Sequence, residues 1–330
     1  VMPNYNGVWS LSTQYQNRTE WEADNQSPAK QTAASTGLFF GGYTGSLLAV
    51  IDKVQISTTG NATDFGDLGQ VAIRGAGLGS ATRGVYADDF SSVNTIQFVT
   101  FTTEGNSSNF GNLSDSRGNL TAFSNNTRGV FAGGEQKNVI DYITTASTGN
   151  ATDFGNLLAT INNNPAGFAS PTRGIVAGGQ SNDSSTGGGD HSNVIQYVTI
   201  DTTGNATDFG NLTVGRNNLS GASSSTRGLF FGGDGGSAGT SQNVVDYITI
   251  ASIGNALDFG DLTAGRREVG ACSWQTRAVM CGGTTTGSNY YNVIEYFTIA
   301  STGNGTDFGD LTAAKYGLGQ GAGNAHGGIA

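Results

Sequence analysis

The 330-residue chain has only two cysteines, two methionines, two histidines and four prolines, which excludes several kinds of chemistry. Two cysteines make no disulfide framework. His191 and His326 lie in different parts of the chain, and with no third imidazole a copper or zinc centre is not expected. Charged residues are 12% of the chain, where about a quarter is usual. Lysine is confined to Lys30, Lys53, Lys137 and Lys315. The net charge of −10 leaves no basic face for phosphates, so nucleic acid is not an expected partner. No apolar run is long enough to span a bilayer, and membrane insertion is not expected. No secretory leader is visible, and a chain starting at Val1 leaves processing open. An uncharged surface rich in Thr, Asn and Gly suits an extracellular or particle-surface protein better than a cytosolic enzyme.

What is present is repetition. The word "NATDFG" begins at Asn61 and returns as "NSSNFG" at Asn106, "NATDFG" at Asn150 and Asn205, "NALDFG" at Asn255 and "NGTDFG" at Asn304. Asp-Phe-Gly holds magnesium in protein kinases, but a catalytic aspartate is needed once, and no phosphate loop, strand lysine or "HRD" element accompanies it. The word is therefore punctuation in a repeat. Its phenylalanines, Phe65, Phe110, Phe154, Phe209, Phe259 and Phe308, are spaced by 45, 44, 55, 50 and 49 residues.

Each repeat reads as four short strands. In the last, "REVGACSW", "TRAVMCGG", "NVIEYFTIA" and "GTDFGDL" are β-rich runs bounded by turn residues, with Gly303 and Asn304 in the tight turn before the fourth. A double glycine ends the second strand at Gly41-Gly42, Gly133-Gly134, Gly178-Gly179, Gly232-Gly233 and Gly282-Gly283; the second repeat has Asp88-Asp89 there. This pattern resembles the kelch/galactose-oxidase class of β-propellers, which implies an all-β ring of four-stranded antiparallel blades. Six repeats run from about Gln31 to Thr312. The remaining ends, 1–30 and 313–330, together match one more repeat in length. Seven blades in one domain over residues 1–330 are expected, the seventh built from both termini, with Trp9 and Trp21 facing its core. The alternative is six blades with an N-terminal arm.

Most recurring residues have structural readings. Phe of the repeated word is expected to fill the blade interface, Gly to permit a bend, and Asp64, Asp153, Asp208, Asp258 and Asp307 to bond the neighbouring turn's amides. Their spacing lacks the alternating carboxylates of a calcium loop. Arg83, Arg128, Arg173, Arg227 and Arg277 occupy one equivalent place per repeat and are expected to bond carbonyls; a channel-facing ring of them could hold an anion. Cys272 and Cys281, near-opposite on adjacent strands, are expected to be small buried hydrophobes. Sequons at Asn61, Asn119, Asn150 and Asn205 follow from turn chemistry. No Gly-x-Ser-x-Gly elbow exists, and a Ser-His-Asp site would have to use one of the two histidines. No catalytic residue, metal or cofactor is expected.

The connection between second and third strands varies most. It reads "YTGSLL", "FSSV", "EQK", "QSNDSSTGGGDHS", "DGGSAGTSQ" and "TTTGSNYY" in successive repeats, while the turn between third and fourth strands hardly changes. Strand alternation puts the two on opposite faces, one uniform and one variable. Loops on a rigid scaffold are where binding usually resides. The variable face offers Asn182, Asp183, Asp190 and His191, Asp234, and Tyr290 with Tyr291. Tyrosines beside Asn and Asp suit carbohydrate, rings stacking on sugar faces and polar groups bonding hydroxyls.

The words "TRGVFAGG", "STGNATDFG", "NYNGVWSL" and "HGGIA" are similar to propeller proteins of marine bacteriophage particles, of the cyanophage tail and fibre type. The resemblance implies a non-enzymatic protein of the virion surface, in the tail or as capsid decoration. It would contact other virion proteins, in multiple copies, and attach to a host-surface glycan or receptor. A purely structural subunit and a carbohydrate-active enzyme are the alternatives.

Overall fold

A computed structural model describes residues 35–87, 94–181, 191–235, 240–285 and 289–329. These residues form strands and turns without a helix. In the fourth repeat, Ala166–Ala169, Arg173–Ala177, Val194–Thr199 and Thr207–Asn211 pair in order as an antiparallel sheet. The sixth repeats this with Gly270–Trp274, Arg277–Cys281, Val293–Thr298 and Thr306–Asp310. The turn into the second strand is tied by a side chain in the second to fifth repeats. Ser170 Oγ accepts from the Arg173 amide, and Asn125 Oδ1 from those of Thr127 and Arg128.

The repeated word is a β-bulge. In all six repeats the glycine after Phe pairs with the third strand, and the next pair skips the phenylalanine: Ile195 lies opposite Gly210, but Gln196 opposite Asp208. The extra residue leaves its carbonyl outside the ladder. That carbonyl accepts from a glycine amide of the next blade, as Phe154 O does from Gly204 and Phe209 O from Gly254. The next blade's asparagine then accepts the amide just past the bulge: Asn205 Oδ1 from Asn156, Asn255 Oδ1 from Asn211. The bulge glycine sits at φ +145 to +155°, and a Cβ there would lie within 2.5 Å of the next turn's glycine. Thus the side-chain bond to the neighbouring blade is made by the turn's Asn, not by Asp. Asp64 instead accepts from its own Gly66 amide, since its place on the exposed edge faces away from the next blade.

This clamp closes the ring. Gly60 of the first repeat donates to Phe308 O of the last, and Asn61 accepts from Asp310. The core lies between blades: Phe123, Val130 and Phe154 of the third repeat pack with Val176, Val198 and Ile200 of the fourth. Side-chain sizes are matched across these seams. Gly174 accommodates Phe123, and Gly228 accommodates Phe168, whereas the sixth blade has Ala278 in the same cluster as the smaller Ala222.

The all-β propeller architecture is as expected. The described residues form seven antiparallel sheets, six of four strands and one of three. The count of seven four-stranded blades is revised accordingly: the ring runs through the six, the alternative number. The first repeat explains the difference. Its strand Thr36–Phe40 stands where other repeats have their second strand, so its innermost place is open. Ala322–Gly323 of the tail pairs there, joining the first blade rather than founding another. The seventh sheet, Arg216–Asn217, Asp234–Gly235 and Thr240–Ser241, grows from the variable loop of the fifth repeat. The expected strands within 1–30, Trp9, Trp21 and the Asp88-Asp89 departure lie outside the described residues.

A buried polar position recurs in every third strand. Asp52, Asp141, Asp246 and Glu295 meet Lys315, Arg117, Arg216 and Arg266 in fully buried pairs, at 2.8 Å for Asp52 and 2.9 Å for Asp141. Each cation comes seven residues after the preceding blade's bulge phenylalanine. Where that place is apolar, at Ala72 and Ile161, the third strand carries Gln97 and Gln196 instead. Their side-chain oxygens accept from the Gly69 and Leu158 amides. Charge occurs only where its partner occurs, because an unpaired buried ion costs several kcal/mol. Removing one partner, Arg117→Ala, is expected to cost about 3–5 kcal/mol in urea unfolding. The pair Arg117→Ile with Asp141→Gln, which copies the fourth blade's solution, is expected to recover most of that loss.

Candidate binding face and the channel

Each first strand is preceded by a residue in the left-handed region. These are Arg74, Asn119, Asn164, Asn218, Glu268 and Gly317, at φ 45 to 72°. Their backbones form a closed circle at one channel mouth. Arg74 N donates to Gly317 O, Asn119 to Arg74, Asn164 to Asn119, Asn218 to Asn163, Glu268 to Asn218 and Gly317 to Glu268, all at 2.7–3.2 Å. First strands begin where second strands end, so this mouth shares its face with the variable loops.

Two ion pairs flank the circle. Arg74 meets Glu268 bidentately, Nε to Oε2 at 2.8 Å and Nη2 to Oε1 at 2.9 Å. Arg267 Nη1 lies 2.9 Å from Asp234 Oδ2, which also accepts from Asn218 Nδ2 at 3.3 Å. At the seam of the sixth and first blades three tyrosines meet. The rings of Tyr290 and Tyr316 are 4.9 Å apart, those of Tyr43 and Tyr316 5.4 Å, and those of Tyr43 and Tyr290 6.2 Å. Tyr43 and Tyr316 are joined through their backbones, and Tyr290 is held by a bridge to Thr284. Burial and the Glu268 carboxylate push the Tyr316 phenol up.

The sequence-expected residues divide. Tyr290 enters the cluster. Asp234 is buried in an ion pair and serves the loop sheet rather than standing free for a ligand. Tyr291 lies under Arg266, whose guanidinium carbon is 5.4 Å from the ring centroid. His191 is half-buried beside Gly215, away from any described tyrosine contact. Asn182, Asp183 and Asp190 lie outside the described residues. Tyr43, Tyr316, Arg74 and Glu268 were missed. Tyr43 opens the first variable loop, but nothing in sequence spacing brings it to Tyr316, 273 positions later.

The channel is filled. Its cavity is about 30 Å³, room for roughly one water. Gln320 bridges three blades, donating to Gly221 O and Ala271 O while its backbone carbonyl accepts from Gly77. The tail then crosses the opposite mouth, Gly327 donating to Ser223 O. A Cβ on Gly328 would lie 1.8 Å from Ser124 O, so only glycine fits. His326 Nδ1 accepts from the Gly328 amide at 3.0 Å. The Nε2 hydrogen therefore points to Ser124 Oγ at 3.0 Å and Gly79 O at 3.1 Å.

The five repeat arginines stand away from the channel and form no anion ring. Arg128 Nη1 donates to Ile200 O of the next blade and stacks 4.3 Å from the Tyr142 centroid; Arg173, Arg227 and Arg277 do the same with Ile250, Ile299 and Ile56. Cys272 and Cys281 are free and buried, as expected, and burial pushes both thiols up. They are two places out of register, Cys272 facing Val279 and Cys281 facing Gly270. Among the described residues no group of three His, Cys, Asp or Glu side chains converges. No protein-family model matches the chain, and no curated protein matches it.

Burial brings the His326 imidazole down to about 4, below its usual 6.5. The unfolded chain binds a proton below 6.5 that the folded chain refuses, so this stability is complete above pH 6.5 and drains as pH falls toward 4. Unfolding free energies from urea titrations at pH 7 and 4.5 are expected to differ by about 2 kcal/mol from this residue, and His326→Gln to reduce the difference.

Proposed function

We propose that the protein is a non-enzymatic binding protein of the virion surface, a tail, fibre or capsid-decorating subunit. It recognises host-surface carbohydrate or protein through the variable face. The observation that supports this reading is the division of labour between faces. Blade-to-blade clamps occupy the uniform turns in all six repeats, while every large difference in length falls on the other face. That face carries half-exposed tyrosines and polar side chains on a backbone closed into a circle. The resemblance of the repeat words to phage tail and fibre propellers supports the virion setting. Both ring nitrogens of the channel histidine are engaged within the chain, Nδ1 by the Gly328 amide and Nε2 by Ser124 and Gly79, which argues against its use as a base at that mouth.

On a bacterial glycan array, the purified chain is expected to bind a subset of surface polysaccharides. Shortening residues 180–192 to the three-residue length of "EQK" should change that pattern or abolish it. Absence of binding by the unaltered chain would remove the carbohydrate reading.

A second reading, docking to another virion subunit, has its own observation. Ile253 and Leu257 are 61% and 59% exposed on the uniform face. The other repeats place Thr59, Glu104, Thr148, Thr203 and Thr302 at the first position and Thr or Ser at the second. An apolar pair on one blade only marks that blade as a contact. Ile253→Thr with Leu257→Thr is expected to leave the melting temperature within a few degrees and to reduce incorporation into particles. Undiminished incorporation would sink the docking reading.

A further inference from the structure

We infer that Tyr43, Tyr290 and Tyr316, with the Arg74–Glu268 pair beside them, form a binding site for a neutral pyranose of a surface polysaccharide. The inference rests on the binding reading above and gives it a location and a ligand class.

The three rings come from the first loop, the sixth loop and the approach to the tail strand, and they meet on the face that carries the loops. They are half-buried, so part of each ring is open to a ligand. None of the three hydroxyls bonds a protein group among the described residues, although buried or half-buried phenols usually find a partner. The site therefore offers tilted aromatic faces for the C–H side of a sugar and free hydroxyls for its rim. Arg74 uses Nε and Nη2 on Glu268, and no protein acceptor is found for its Nη1 among the described residues. That nitrogen remains a donor whose charge is already matched. The backbone circle fixes both Arg74 and Glu268, so little conformational freedom is lost on binding.

The charge balance selects the ligand. Glu268 neutralises Arg74, and the whole chain carries −10. A uronate or sialate would find no unmatched cation here and would approach a carboxylate in an acidic protein. A neutral hexopyranose pays no such penalty and matches the mixed apolar and hydroxyl surface.

The test uses saturation-transfer NMR and titration calorimetry on the full chain. Maltohexaose, mannohexaose and cellohexaose serve as neutral probes, and oligogalacturonate as the charged one. At least one neutral probe is expected to bind with transfer to its ring protons. Tyr316→Ala and Tyr43→Ala should each weaken it about tenfold. Tyr316→Phe, which keeps the ring, should weaken it less and serves as the control for folding, alongside the melting temperature. Neutral binding that survives both alanine variants, but falls when residues 180–192 are shortened, would overturn this site and leave carbohydrate recognition standing. Preference for oligogalacturonate would overturn the neutral class. Binding of none of the probes would overturn the inference, while the wider binding reading would be judged by the array.

Discussion

The molecule depends on the bond from a turn glycine of one blade to the bulged phenylalanine of the blade before it. A bulge is usually a local irregularity; here it is the connector. The extra residue sends its side chain into the core and frees its carbonyl from the ladder for the neighbouring blade. Phe, Gly and Asn are then all required at fixed spacing. Phe fills the seam, Gly provides the backbone and lets the neighbour approach, and Asn caps the exposed amide beyond. Because the contact is identical at every seam, including the one between last and first blades, six copies suffice to define a closed ring. The charge pairs follow the same logic, each joining a blade to the connection that leads into it.

Much of this was legible in the sequence, because repetition removes the usual ambiguity. Four strands per repeat, the interface phenylalanine, the arginine–carbonyl bonds and the two inert cysteines could be read from comparing repeats. The exchange of Asp for Asn as the capping residue could not, since both types bond amides and only the bulge geometry says which one faces the next blade. The buried ion pairs left a signal that was available: Ala72 and Ile161 stand in the cation's column where Gln97 and Gln196 stand in the acid's. The blade count went astray for a simple reason. Length alone made the two ends equal one repeat, but the first repeat was already short of its inner strand, and the tail was needed there.

The candidate site was legible only in part, and the reason is topological. Tyr290 stood out as an aromatic in a variable loop. Tyr43 looked like an ordinary loop residue, and Tyr316 like part of a tail strand. Their meeting depends on the tail completing the first blade, which brings the approach to that strand beside the first loop. Arg74 and Glu268 belong to connections that no loop-length comparison would select. They matter because the left-handed residues before the first strands form a circle, and that circle is a property of the ring rather than of any repeat.

The position of the tyrosines also couples binding to closure. In five of the blades the four strands follow one another in the chain. In the first blade the inner strand is the tail's, joined to the other three by hydrogen bonds, and the seam between sixth and first blades is held by the clamp, the Asp52–Lys315 pair and that tail strand. Tyr43 belongs to the first blade, Tyr290 to the sixth, and Tyr316 to the segment that stitches them. A ligand resting on all three would touch both sides of the seam at which the tail completes the ring. Its binding free energy would then add to the stability of the closed ring, since only the closed ring assembles the site. The seam at which the tail completes the ring is thus a place where recognition would be felt by the whole fold.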